Sequence, residues 1–219
     1  MADIYVVAME NEAEALISNL TEKSEKSLYG RRVVEGMLGK KPTVVIISGV
    51  GKVNATAAAQ IALSDYKAQA VRNFGVAGGL NDSTKVGALY EIDSAVQYDF
   101  DLVQLNGGMP GTLNERDTPY IPCATDGMFQ AVCLASGDRF NDSKEDHDLI
   151  SGVLGCTVRD MEGAAIAQVC ERAGVPFYSL KCVSDVYGSG STTEQFVTNL
   201  KGCLDTLKAH FASLAKGSL

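Results

Sequence analysis

The sequence predicts an α/β fold in which a largely parallel or mixed sheet is covered by helices. Short apolar, β-branched runs alternate with segments of helical periodicity along most of the 219 residues. No repeat, low-complexity segment or linker interrupts that alternation. With 46% hydrophobic and 21% charged residues, the chain has ordinary globular composition and is long enough to bury a full core. We therefore expect one domain over residues 1–219.

The first hundred residues alternate in this way. The run IYVVA is β-branched and apolar, as in a buried strand, and the alanine-rich segment after Gly51 predicts a helix that approaches a sheet closely. The turn at Gly39–Pro42 separates two apolar runs that we expect to pair. The predicted order is a strand at 4–8, a helix from Glu10, strands at 31–39 and 42–49, a helix at 49–66, and strands at 70–80 and 86–99.

The second half begins with a segment rich in Gly, Pro, Asn and Asp, from Asp99 to Ala124, which predicts a long loop. A loop of that length in a compact domain is usually functional. The elements predicted after it are a strand at 131–137, a helix at 143–155, a strand at 156–161, a helix at 162–174, a strand at 177–185 and a last helix from Thr192 to about Lys216.

Acids and glycines recur where the predicted strands end. In sheets of this kind, ligands bind beyond the carboxyl ends of the strands. The segments at those ends are 9–12, 49–51, 75–79, 136–138, 160–162 and 184–185. Taken singly, Glu12 and Glu162 also suit the first turn of a helix, and Ser184-Asp185 also suits a helix cap or a turn. Their joint placement at one edge favours an active site built on carboxylates.

Carboxylates in separate environments suit the cleavage of an N-glycosidic bond. The leaving base must accept a proton, the sugar becomes oxocarbenium-like, and the attacking water must lose a proton. Glu12, Glu162 and Asp185 are the candidates for these tasks.

Several segments carry a resemblance to a known family. In order, AMENEAEAL, GVGKVNATAAAQIAL, GVAGGL, ASGDRF, RDMEGAAIAQVC and SLKCVSDV resemble the methylthioadenosine/S-adenosylhomocysteine nucleosidases of the nucleoside phosphorylase superfamily. The resemblance extends from residue 4 to about residue 187, and the M-E-G and S-D-V pieces are its most specific parts. It implies a three-layer α/β/α sandwich with a mixed central sheet, a homodimer, and a nucleoside substrate.

The resemblance also implies roles for individual residues. Glu12 matches the general base that polarises the attacking water. Asp185 matches the acid that protonates the imidazole side of adenine, with Ser184 steadying it. Met161 and Glu162 match the pair that holds the ribose.

The remaining matches concern the base. Phe140 matches the aromatic residue that stacks on the purine, and the backbone of Asn141 matches the group that reads the adenine edge. Gly78 matches the turn glycine that lets the chain approach the ligand. The resemblance implies neither a cofactor nor a metal.

The nucleophile is predicted to be water. Phosphorylases of the superfamily typically open with a P-G-D-P-x-R-like loop and clamp phosphate with arginines, whereas this chain has the acidic A-M-E-N-E, which repels a dianion. Asn73 stands where phosphorylases commonly carry Arg, and strand alternation aims Arg72 at the other face.

The sequence departs from the family on the water side of the site and in the long loop. Val76 stands where the nucleosidases usually have Ser, and Lys181 where Arg is common, which keeps the charge but loses the fork. The segment 98–110 lacks the aromatic residues that line the 5′-substituent pocket, and Leu105 and Met109 are either its replacement or ordinary loop packing. A phosphorylase, a nucleosidase for another nucleoside of the futalosine type, and a non-catalytic binding relative stay open as alternatives.

Composition excludes several partners. The net charge of −8 argues against nucleic acid, whose phosphates require a basic face. No apolar run approaches the length of a membrane span, and the N-terminal segment lacks the basic region of a signal peptide, so we expect a cytoplasmic protein. The six cysteines form no C-x-x-C pair and are expected to be free thiols, and His147 and His210 alone do not predict a zinc site.

Overall fold

The computed structural model describes residues 2–217 and confirms the α/β prediction. The strands are β1 Asp3–Val7, β2 Thr21–Leu28, β3 Arg31–Leu38, β4 Lys41–Ile47, β5 Val71–Gly79, β6 Leu89–Gln97, β7 Ile121–Pro122, β8 Ala131–Ser136, β9 Val158–Asp160 and β10 Phe177–Val186. The helices are α1 Glu10–Ile17, α2 Lys52–Ser64, α3 Val103–Asn106, α4 Lys144–His147, α5 Gly163–Ala173 and α6 Thr192–Lys216. Helix α4 continues into π-helical turns over Asp148–Val153.

The strands form one mixed sheet that closes on itself at one end. Strand β10 pairs with β5 and with β6, and the path β6–β8–β9 returns to β5. Strands β1, β4, β3 and β2 extend the sheet from β5 in that order. The pairs β1–β4, β1–β5 and β5–β10 are parallel, so their carboxyl ends meet at a common edge.

Two helical layers cover the sheet, as the alternation along β1 illustrates. Ile4 and Val6 pack in the core cluster beneath α2 and α5, whereas Tyr5 and Val7 pack in the cluster beneath α1 and α6. Fully burying one such side chain contributes about 1.5–3 kcal/mol. A slip of one residue would exchange the two sets, and the two-sided core therefore fixes the register.

Two features differ from the sequence prediction. Strand β2 was not predicted, because its sequence, TEKSEKSL, is polar and almost entirely exposed. It forms by main-chain pairing with β3, with added ion pairs from Lys26 to Glu35 and from Arg32 to Glu25. The segment predicted as a loop from Asp99 to Ala124 contains the short α3 and β7. The helix predicted at 143–155 is confirmed as α4 with its π-helical continuation.

The prediction of six free thiols is wrong for one pair. Cys133 and Cys156 form a disulfide with a Cα–Cα distance of 4.6 Å, because the parallel alignment of β8 and β9 brings their segments together. The other four cysteines are free thiols. Among residues 2–217, no helix combines the length and apolar character needed to cross a bilayer.

Candidate active site

Three of the predicted acids lie where their strands end, as expected. Glu12 lies in the first turn of α1, directly after β1, Glu162 precedes α5, and Asp185 is near the end of β10. All three are buried, with relative exposures of 3%, 7% and 2%. The acids form two groups of contacts, one around Glu12 and Glu162 and one around Asp185.

The Glu12 carboxylate is held by main-chain N–H groups. The N–H of Val76 donates to Oε1 at 2.8 Å and the N–H of Met9 donates to Oε2 at 3.1 Å. Burial raises the pKa of Glu12, while Lys181 and the two N–H donors oppose that rise. A Cβ at Gly75 would collide with Oε1, so only glycine permits this approach.

Glu162 belongs to a buried charge cluster with Asp160 and Lys181. Lys181 Nζ lies 2.9 Å from Asp160 Oδ2, and the N–H of Gly51 donates to Glu162 Oε1 at 2.7 Å. Burial and then Asp160 raise the pKa of Glu162 to about 7, although Lys181 and the Gly51 N–H lower it. Burial lowers the pKa of Lys181, but the three carboxylates, Asp160 first, leave it raised overall. Lys181 is therefore the cation shared by Glu12, Asp160 and Glu162.

The second group surrounds Asp185. Ser184 Oγ donates to Asp185 Oδ2 at 2.7 Å. Burial raises the pKa of Asp185, and the Ser184 hydrogen bond and the nearby charge of Arg159 limit the rise. A Cβ on Gly78 would lie 2.9 Å from Asp185 Oδ1 and 3.3 Å from Arg159 Nε, so both side chains approach the backbone at this glycine.

Asn141 joins the same group through Arg159. The Arg159 guanidinium donates from Nη2 to the Asn141 carbonyl and from Nη1 to its Oδ1, the latter at 3.4 Å. Asn141 Nδ2 in turn donates to Asp146 at 2.9 Å. The neighbouring Phe140 is 52% exposed and packs edge-on against Phe196 of α6, with ring centroids 5.5 Å apart. Its ring is therefore available to a ligand.

Two cavities lie away from the carboxylates. One of about 600 Å³ opens at the opposite ends of the strands and is lined by Arg72, which pairs with Asp126 at 2.6 Å. The other, of about 1140 Å³, is a groove between α2 and α5. Within residues 2–217, no cluster of three or more His, Cys, Asp or Glu is arranged to hold a metal ion.

Comparison with known proteins identifies the family. Residues 3–219 match the model of the Phosphorylase superfamily. The 5′-methylthioadenosine/S-adenosylhomocysteine nucleosidase of Geobacillus thermodenitrificans is 33% identical over 235 aligned positions, covering 100% of this chain and 96% of the relative. The chain belongs to this nucleosidase family of the Phosphorylase superfamily.

Solved structures agree with the family assignment. The Streptococcus pyogenes S-adenosylhomocysteine nucleosidase in complex with 5-methylthiotubericidin superposes with a TM-score of 0.86 at 26% identity, covering 100% of this chain and 97% of that one. A futalosine hydrolase of Helicobacter pylori gives 0.88 at 25% identity, covering 100% and 98%. The nucleosidase is thus a hydrolase of N-glycosyl bonds with a nucleoside phosphorylase-like fold.

The structure explains how Val76 and Lys181, the two residues that depart from the family pattern near Glu12, fit into the site. Val76 contacts Glu12 through its backbone N–H, and its half-buried side chain packs against the apolar cluster beneath α1 and α6. Lys181 donates to a single carboxylate oxygen of Asp160, as a compact ammonium does. The Glu12 contact therefore does not depend on the side chain at position 76.

Sequence reasoning did not assign Asp160 and Arg159 as site residues. Asp160 accepts from Ser136 Oγ at 2.5 Å and from the N–H of Gly163 at 2.9 Å, in addition to pairing with Lys181. The position of Asp160 at the end of a predicted strand was the sequence feature that could have identified it as a site residue. Nothing in the sequence places Arg159 beside Asn141, because the contact joins residues from β9 and from the loop after β8.

Proposed function

We propose that the chain hydrolyses the bond between adenine and ribose in 5′-methylthioadenosine, S-adenosylhomocysteine or 5′-deoxyadenosine. The proposal depends chiefly on one observation, the separation of the buried acids into a Glu12–Glu162 group that shares Lys181 and an Asp185 group without that lysine. The names of the family relatives support the substrate class.

Glu12 is proposed as the general base. Its carboxylate is oriented by two N–H donors, and burial makes it a stronger base than an exposed glutamate. It takes a proton from water as the water oxygen bonds to the anomeric carbon. Val76 and Lys181 are proposed to complete this side, Val76 by its N–H and Lys181 by its charge.

Asp185 is proposed as the general acid. Burial favours its protonated form, which delivers a proton to the imidazole-side nitrogen of the base. The electron pair of the breaking glycosidic bond then stays on a neutral base. Ser184 fixes one carboxyl oxygen and thereby orients the other toward the ligand.

The remaining predicted residues are proposed to position the substrate. Glu162 accepts hydrogen bonds from the ribose hydroxyls, with Met161 beside the sugar. Phe140 stacks on the purine, Gly78 admits it, and the backbone of Asn141 faces its edge. The exposed Phe140 ring and the close packing at Gly78 support this arrangement.

Water is proposed as the nucleophile because the sugar side of the site is anionic. Glu12, Asp160 and Glu162 share one lysine, and such a group repels a phosphate dianion. Arg72, the arginine nearest in sequence to the phosphorylase position, binds Asp126 at the opposite cavity.

We further propose that residues 1–219 act as one domain in a cytoplasmic homodimer. The groove between α2 and α5 supports dimerisation, since Val53 is 80% exposed there and neighbouring positions are small. Lys52, on the same groove, follows the Gly51 that contacts Glu162, so a second copy seated there would lie beside the site.

The test is release of adenine from 5′-methylthioadenosine, measured with and without phosphate. We expect turnover that is independent of phosphate and yields free methylthioribose. Glu12→Gln should lower kcat by at least ~10²-fold with little change in nucleoside affinity. Glu14→Gln, an exposed change on the same helix, is the matched control. A requirement for phosphate, or formation of a sugar 1-phosphate, would overturn the hydrolytic assignment.

A further inference from the structure

Arg159 is a buried arginine that forms no ion pair in the part of the chain that the structure describes, although its charge lies near Asp185. The residue is only 8% exposed, yet its guanidinium takes part in none of the ion pairs within residues 2–217. A guanidinium has five N–H donors. The two hydrogen bonds to Asn141 use Nη1 and Nη2, and they leave Nε as a solvent-reached donor with no acceptor among the described residues. Burying such a cation is unfavourable unless an acceptor completes its contacts.

The position of Arg159 points to the base of the nucleoside as that acceptor. Its Nε and the Oδ1 of Asp185 both lie against Gly78, at 3.3 and 2.9 Å from where a Cβ would stand. Its Nη2 donates to the Asn141 carbonyl, on the segment proposed to face the edge of the purine. Arg159 therefore lies between the proposed general acid and the proposed base-edge contact.

This arrangement presents hydrogen-bond donors to the purine edge. A protonated Asp185 supplies one donor, and Arg159 supplies others beside it. The edge of a 6-oxopurine offers two acceptors, the ring nitrogen and the 6-oxygen, which is the pattern that arginine pairs with in nucleic acids. A 6-aminopurine instead presents a donor at the 6-position, which cannot accept from Arg159, although the second lone pair of the Asn141 carbonyl can still accept from it.

We propose that Arg159 is a specificity-determining residue that extends hydrolysis to 6-oxopurine nucleosides, so that the site releases hypoxanthine as well as adenine. The inference rests on the proposed nucleosidase function and specifies which purines the site releases. The bond broken and the proton transfers are those proposed for adenine release, with Asp185 protonating the leaving base and Glu12 accepting the proton of water.

Paired substrates that differ only at the 6-position test the proposal. The kcat/KM of the wild type for 5′-methylthioinosine is expected to lie within about tenfold of that for 5′-methylthioadenosine, since a bidentate contact discriminates by roughly 10- to 100-fold. Arg159→Met should lower the inosine-to-adenosine ratio by about that factor. Arg159→Lys keeps the charge but loses the fork, and should give an intermediate ratio.

Arg139→Met is the matched control. Arg139 is an exposed arginine in the loop after β8, the loop that contains Asn141, and it pairs with Asp146 at 2.9 Å. Its removal should leave the inosine-to-adenosine ratio of kcat/KM unchanged. Equal ratios in the wild type, Arg159→Met and Arg159→Lys would overturn the proposal.

Base binding separates this proposal from the nucleosidase function. Dissociation constants of hypoxanthine and adenine, measured by calorimetry, require no turnover. A lower hypoxanthine preference in Arg159→Met, or in Arg159→Lys if the first variant does not fold, supports the role of Arg159. A wild type that binds both bases but cleaves neither nucleoside refutes hydrolysis without affecting that comparison, and an unchanged base preference refutes the role of Arg159.

Discussion

Replacing Glu162 by Gln should make the protein more stable at alkaline pH. Burial and the charge of Asp160 raise the pKa of Glu162 to about 7 from its ordinary value of 4.5. The folded state thus binds this proton more tightly than the unfolded state. The contribution of Glu162 to the free energy of unfolding is fully present below about pH 4.5, falls as the pH rises, and is lost above about pH 7.

The size of the effect follows from that interval. Between 4.5 and 7 there are about 2.5 pH units, and each corresponds to about 1.36 kcal/mol, so ionising Glu162 costs roughly 3 kcal/mol. Between about pH 5 and about pH 8, the free energy of unfolding of the wild type should fall by roughly 2–3 kcal/mol more than that of Glu162→Gln. This is a large part of the stability of an ordinary domain.

Urea unfolding followed by circular dichroism at a fixed protein concentration measures the effect at both pH values. Glu194→Gln, at an exposed position of α6, is the control and should follow the wild-type pH dependence. The reasoning is refuted if Glu162→Gln and the wild type lose the same free energy of unfolding between the two pH values. The proposed contact of Glu162 with the ribose predicts that this gain in stability is accompanied by weaker nucleoside binding.

Three further changes test the site and the assembly. Asp185→Asn should lower kcat by ~10² to 10⁴-fold while the nucleoside still binds, and a near-normal rate in steady-state assays would remove Asp185 from the role of acid. Gly75→Ala should displace the Glu12 carboxylate and lower kcat by ~10²-fold, whereas a rate equal to the wild type would show that the carboxylate tolerates the methyl group. Val53→Glu should yield monomers in light scattering, whereas Val197→Glu, on the exposed face of α6, should remain dimeric; dimers in both would place the interface elsewhere.

The substitutions at the site are expected to have different effects because the acids lie in different surroundings. Glu12 and Glu162 are buried with Asp160 around one lysine, and the charge of Asp160 adds to burial in raising the pKa of both glutamates. Asp185 shares no such cation and instead lies near Arg159. One sheet edge therefore carries an anionic group around Lys181, proposed to face the sugar, and the Asp185–Arg159 group, proposed to face the base.

The α/β class, most strand positions and the candidate acids follow from the amino-acid sequence alone. Apolar runs such as residues 4–8 and the small-residue helices carry a local periodicity that depends on no distant contact. The ends of those runs located Glu12, Glu162 and Asp185, since ligand sites in such sheets lie beyond the carboxyl ends of strands. The M-E-G and S-D-V segments led to the family, which the comparisons confirmed.

The contacts of these acids, by contrast, depend on how distant segments come together in the fold. Strand β2 is polar, and its pairing with β3 is a main-chain interaction that leaves no hydrophobic pattern in the sequence. The Cys133–Cys156 pair depends on the alignment of β8 with β9. The sharing of Lys181 among three carboxylates, and the contact of Arg159 with Asn141, each join residues from separate elements. Electrostatic effects depend on distance and burial, which exist only once the chain is folded, and so the different pKa shifts of the carboxylates follow only from the three-dimensional structure.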